Sequence, residues 1–216
     1  MGKDAVLRGL VSMVGVFAFL SMPYTTLLPV FARTTLWGSA APIVAAMGGA
    51  VEVSALGRAL LSCQQPEAVA YGLMMGAVGI GAVTGALLAA AYGEAGRRGR
   101  WLTRGNLGFP AAPLLFAAAP TFPLALAALV CTGVLFVWQN ALANTLIQVR
   151  VEDAVRGRVM GIYTPSFQLM MRLGGLQAGL MAGWLGAPAT VALGAALSLG
   201  YMLWAHRRYP EIRRLP

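Results

Sequence analysis

Long apolar stretches alternate with short connections, and basic residues crowd every second connection while leaving the ones between nearly empty. Inside lipid every backbone N–H and C=O must find its partner within the spanning segment, so a chain of this kind crosses the bilayer as helices. One crossing takes about 20 apolar residues. Six segments fit, at residues 9 to 31, 69 to 92, 105 to 119, 122 to 147, 159 to 184 and 188 to 205, with residues 32 to 68 left as an external connection. The third is the shortest and carries Pro110 and Pro113. The expected class is an all-α membrane protein, a single bundle of six transmembrane helices over residues 1 to 216.

Composition excludes the soluble alternative. Apolar residues make up 58% of the chain and charged ones 11%, against about a quarter charged in soluble domains. A net charge of +9 on a soluble domain would point to nucleic acid, but here the cations flank apolar spans, so topology explains them and no nucleic-acid partner is expected. The basic residues Lys3, Arg8, Arg97, Arg98, Arg100, Arg104, Arg150, Arg156, Arg158, Arg207, Arg208, Arg213 and Arg214 fall on one side of the six-span scheme, thirteen of the 16 present. By the positive-inside rule that side, with both termini, is cytoplasmic, in a multi-pass protein of the plasma membrane. Residues 42 to 61 are apolar enough to tempt a seventh span, but they hold Glu52 and Arg58 and would reverse every later loop. They are read as an interfacial or re-entrant segment.

Glycine spacing separates the spans by role. Span two carries Gly72, Gly76 and Gly79 on one face and Gly81 and Gly85 on nearly the opposite one, while span five carries the ridge Gly175, Gly179 and Gly183. Small residues let helices approach closely where lipid supplies no hydrophobic drive. Span two is thus expected between two neighbours. Spans two and five are also the middle members of successive triplets, which fits two inverted three-helix repeats of the kind many transporters use. Pro23, Pro29, Pro110, Pro113 and Pro165 interrupt four spans and remove backbone donors there, through bent packing or as hinges.

Polar chemistry within the spans is sparse. Arg172 stands mid-way along span five with Gln168 one turn before it, and an Arg at that depth costs about 2.5 to 3.5 kcal/mol unless protein or water receives it. It either bonds carbonyls at a helix interface or attracts anions into a cavity. Asn140 and Asn144, followed by Gln148, form a second polar row at the end of span four, suited to interhelical hydrogen bonds or a vestibule. Arg172, Gln168, Asn140 and Asn144 are the substrate-cavity candidates. All seven acidic residues, Asp4, Glu52, Glu67, Glu94, Glu152, Asp153 and Glu211, lie in loops or termini, so no carboxylate is available in a span to carry a proton. There is no phosphate-binding glycine loop, no Cys/His spacing for a metal, and no His to activate Ser166. Neither enzymatic activity nor a cofactor is expected.

The stretch NTLIQVR from Asn144 and the loop VEDAVRGRVMGIY from Val151, with its core Arg156, Gly157, Arg158 and Val159, resemble the connection between the tenth and eleventh helices of major facilitator superfamily exporters of the enterobactin-exporter and macrolide-efflux type. Upstream, GAVTGALLAAAYGEAGRRGRWL from Gly81 is similar to their eighth helix and basic loop, and LLPVFAR from Leu27 to their seventh. The resemblance implies the C-terminal half of a twelve-helix fold that exports a small molecule, such as a drug or a siderophore, by rocking against an N-terminal six-helix half. That half would come from another chain, a longer gene product or self-association. It also implies cytoplasmic gate loops at Arg97, Arg98 and Arg100 and at Arg156, Gly157 and Arg158. An Asp that commonly follows the eighth helix is replaced here by the run Ala91, Tyr92, Gly93 and Glu94. The alternative reading is a non-transporting remnant or membrane interaction subunit.

Overall fold

The computed structural model describes residues 3–51, 66–92, 98–151 and 153–208, and every regular element among them is helical. The first span is broken in the middle. It runs as α1 (Lys3–Leu20), a turn, α2 (Tyr24–Val30) and a π-helical turn (Phe31–Thr35). Pro23 causes the break: it has no N–H to give the Phe19 carbonyl, and the Met22 N–H leaves the ladder for Phe17 O at 3.3 Å, an oxygen already taken by the Ser21 N–H at 3.0 Å. There follow α3 (Trp37–Val51), α4 (Pro66–Tyr92), α5 (Arg98–Ala117), α6 (Phe122–Arg150), α7 (Asp153–Leu185) and α8 (Ala187–Arg208).

Among the described residues four helices are long and apolar enough to cross a membrane: Ser12–Thr35, Pro66–Ala91, Phe122–Thr145 and Ala187–Arg208. The helices α5 and α7, of 20 and 33 residues, match the length of a span. Arg98, Arg100 and Arg104 in α5, and Arg156, Arg158 and Arg172 in α7, dilute their apolar character. The connection after the first span contains α3, whose 15 residues reach about 22 Å, short of the roughly 30 Å hydrocarbon core. Leu36, Ala40 and Val44 are buried there, and Ser39 Oγ accepts the Phe122 N–H at 2.9 Å, capping the start of α6. Residues 52 to 65 lie outside the described set.

Both expected gate loops need correction. Arg156, Gly157 and Arg158 are not in a loop but in the first turns of α7, which starts six residues before the expected span, and Arg98 and Arg100 are in the first turn of α5, which starts seven residues before its expected span. Arg156 Nε donates to the Gln148 carbonyl at 3.1 Å, drawing the ends of α6 and α7 together. At the other end a single residue, Gly186 at φ 81°, turns α7 into α8. That left-handed conformation suits glycine and closes the helix through the Gly186 N–H on Ala182 O at 3.0 Å.

The helices pack in a reciprocal pattern. The pair α4 and α5 both pack on α6, whereas α7 and α8 both pack on the first span, and α5 and α8 pack on each other. An aromatic cluster sits at the centre. Phe17 lies edge-on to Phe109 at 4.5 Å between centroids and stacks near Phe136 and Phe167 at 6.1 and 6.5 Å, so one side chain ties the first span to α5, α6 and α7. Edge-to-face aromatic pairs of this kind contribute about 0.5 to 1.5 kcal/mol beyond their burial.

Candidate transport surface

The glycines show which helix faces are already taken. A Cβ built on Gly81 would collide with the Val130 carbonyl and one on Gly85 with the Val134 carbonyl, while one on Gly133 would collide with the Val78 carbonyl and come within 3.1 Å of the Gly81 Cα. Backbone therefore lies on backbone where α4 crosses α6. On the opposite face of α4, at Gly72, Gly76 and Gly79, a Cβ would meet nothing within 4 Å. Two neighbours were expected for this helix, yet only one of the two glycine faces is occupied among the described residues.

Helix α7 divides in the same way. At Gly174 a Cβ would collide with the Phe19 carbonyl and the Pro23 ring, and at Gly175 it would lie 2.9 Å from Thr26 Oγ1. Higher on the ridge, Gly179 and Gly183 are exposed with nothing within 4 Å, so the ridge is not one continuous interface. The carbonyl that Gly174 covers is the one Pro23 leaves without a donor. Its neighbour, Leu20 O, is covered in turn by Gly194 of α8. At this break Ser21 Oγ is buried with no partner among the described residues, beside a cavity of about 20 Å³, which also touches Gln177 and Thr190 and is the size of one water.

The four cavity candidates do not converge within the chain. Arg172 and Gln168 are exposed, on the face of α7 opposite to Tyr163, Phe167 and Gly174, which pack toward the first span. Arg172 lies 19 residues after Asp153 and 13 before Leu185, so about 20 Å of helix separates it from the nearer end, and it makes no hydrogen bond or ion pair among the described residues. Asn140 and Asn144 are half-buried on α6, and Asn144 Nδ2 donates to Asn140 Oδ1 at 3.2 Å, pairing the amides along one helix rather than between two. A separate apolar cavity of about 230 Å³ opens between the first span and α7, lined by Val14, Gly15, Tyr163, Ser166, Phe167 and Met170.

Of the basic positions, Arg97 lies outside the described residues, and so do the side chains of Arg98 and Arg100, which open α5. Gly157 and Arg158 are exposed on α7. Among the described residues no group of His, Cys, Asp or Glu is placed to hold a metal ion. Sequence reasoning passed over Gly133, the reciprocal glycine on α6, and Asn106, buried in α5 with its amide 3.7 Å from the Met13 sulfur. A lone Asn or Gly inside a span was the available signal for both.

Among the described residues every regular element is helical and several helices are fit to span a bilayer, which defines a multi-pass membrane protein. Residues 61–214 match the family described as transmembrane secretion effector, so the chain belongs to that family within the major facilitator superfamily. No curated protein and no solved structure matches the chain.

Proposed function

We propose that this chain forms a six-helix half of an efflux transporter and exports a small molecule, such as a drug or siderophore, by alternating access against a second six-helix half. The observation that carries the reading is Arg172. A cation exposed at the middle of a membrane helix, on the face turned away from its own bundle, costs about 2.5 to 3.5 kcal/mol in lipid, so that face calls for protein or water. A second half, provided by another polypeptide segment or by a second copy of this chain, would cover the free faces of α4 and α7. Arg172 and Gln168 would then border a wet path between the halves, where the guanidinium favours polar or anionic cargo.

The reciprocal packing supports an inverted pair of three-helix repeats. The middle and third helices of each triplet, α4 with α5 and α7 with α8, rest on the first helix of the other triplet, α6 or the first span, and glycines mark all four contacts. The orientation with basic ends in the cytosol rests on the arginine distribution. With that orientation Arg97, Arg98 and Arg100, and Arg156 with Arg158, stand where the cytoplasmic side would close. The test is efflux from cells loaded with a macrolide, a catecholate siderophore or an anionic fluorophore. Arg172→Ala is expected to lower export about ten-fold with protein abundance within two-fold of the parent. Equal loss of both would assign Arg172 to packing, and no export by the parent chain together with its second half would favour a non-transporting membrane subunit.

A further inference from the structure

Reciprocal packing leaves one place where the two halves of the pattern differ. Helices α7 and α8 touch each other as well as the first span, but α4 and α5, which straddle α6 in the equivalent way, share no substantial contact among the described residues. Between them runs a crevice of about 230 Å³, floored by Val134, Leu135 and Trp138 of α6 and walled by Leu88 of α4 and by Arg104 and Gly105 of α5. Gly105 brings α5 down onto α6 there: a Cβ would stand 3.2 Å from the Trp138 ring. Gly85 does the same for α4.

We propose that this crevice binds an anionic phospholipid, with an acyl chain laid over α6 between α4 and α5 and the phosphate held at Arg104. Three observations point to that occupant. The walls are apolar apart from Arg104, so water in the crevice lacks hydrogen-bond partners, while an empty gap forfeits the dispersion contacts of its lining. Depth is right for a headgroup: Leu88 is four residues from the end of α4 at Tyr92, and Arg104 is six residues from the start of α5 at Arg98. Charge is complementary: Arg104 is exposed where it lines the crevice with Trp138, so its guanidinium can pair with an anionic headgroup. The proposal goes beyond transport, since it holds whether or not the chain exports anything.

Native mass spectrometry of the purified chain, titrated in detergent with phosphatidylglycerol or phosphatidylcholine, tests it. Phosphatidylglycerol is expected to bind in preference, and Arg104→Gln to weaken that binding about five-fold, the effect of one basic residue near an anionic headgroup. Leu88→Trp, which fills the crevice and leaves the charge in place, is expected to reduce binding of the same lipid. Arg207→Gln removes an equal charge from the end of α8 and is expected to leave binding unchanged. Equal retention of the two lipids, unchanged binding in Arg104→Gln or in Leu88→Trp, or an equal loss in Arg207→Gln would overturn the site.

Discussion

The crossing of α4 on α6 and the crossing of α7 on the first span occupy equivalent places in the bundle but are built differently. In the first, three glycines, Gly81, Gly85 and Gly133, interlock from both sides and two continuous helices meet backbone to backbone. In the second the glycines come from α7 alone, and they land on Phe19, Pro23 and Thr26, in and on either side of the break, where proline has already released a carbonyl. A seam of two unbroken helices has no soft element to absorb movement. A seam over a break can change angle by redistributing a few backbone hydrogen bonds, because neither partner loses a regular ladder. On this geometry the first crossing is expected to stay rigid and the second to bend.

The largest effect expected from this contrast is at the rigid seam. Gly133→Ala would push a methyl into the Val78 carbonyl and the Gly81 Cα, neither of which is a side chain that can swing aside. The cost is expected to exceed the roughly 1 to 3 kcal/mol of ordinary overpacking and to remove most of the monodisperse protein in fluorescence-detected size exclusion. Recovery of parental amounts would show that the seam has slack.

Pro23→Ala addresses the other seam. It restores an N–H that can bond Phe19 O and favours a straight first span, so export is expected to fall several-fold while thermal stability in detergent stays at or above that of the parent. Stability lost in step with export would make the break a packing requirement and not a hinge. A smaller change is expected at Gly175→Ala, where the new methyl meets only the mobile end of Thr26. A cost below about 1 kcal/mol in thermal unfolding, cancelled in the double variant with Thr26→Ala, would agree with a soft contact. Smallest of all is Gly179→Leu, which has open space around it and is expected to leave the chain's own stability within about 0.5 kcal/mol. Cross-linking yield to the second half should nevertheless drop, because the added bulk stands on a free face.

How far the sequence could be read follows from the same glycines. Periodicity alone placed Gly81 and Gly85 on one face and Gly72 and Gly76 on another, and put helices within a few residues of their observed ends at α4, α6 and α8. It could not separate Gly175 from Gly179 and Gly183. A small residue reports that a helix can be approached, not what approaches it. Family resemblance described residues 151 to 163 as a connection, whereas the local chemistry, with Asp153 at a helix start and no proline before Pro165, carries the helix through Arg156 and Arg158. The π-helical turn at Phe31–Thr35 left no mark in the pattern, since it differs from an α-helix by one residue of hydrogen-bond register.

The polar candidates were legible as residues but not as a site. Arg172 and Gln168 follow from depth and spacing in one helix, which sequence supplies. That they point away from the bundle, and from Asn140 and Asn144, depends on which neighbours α7 chooses, and that choice is made by Gly174 and Tyr163 on its other face.

The question that decides the functional reading is whether the free face of α7 meets water. In a background carrying Cys63→Ser and Cys131→Ser, an Arg172→Cys chain expressed with its second half would be treated in intact membranes with a membrane-impermeant maleimide, beside Leu203→Cys on the exposed face of α8 as the lipid-facing control. Labelling at position 172 that far exceeds labelling at 203, and that falls when transported substrate is added, is the outcome expected of a transport path. Labelling at 172 no greater than at 203 would place Arg172 in lipid or in a sealed contact and contradict the transporter reading.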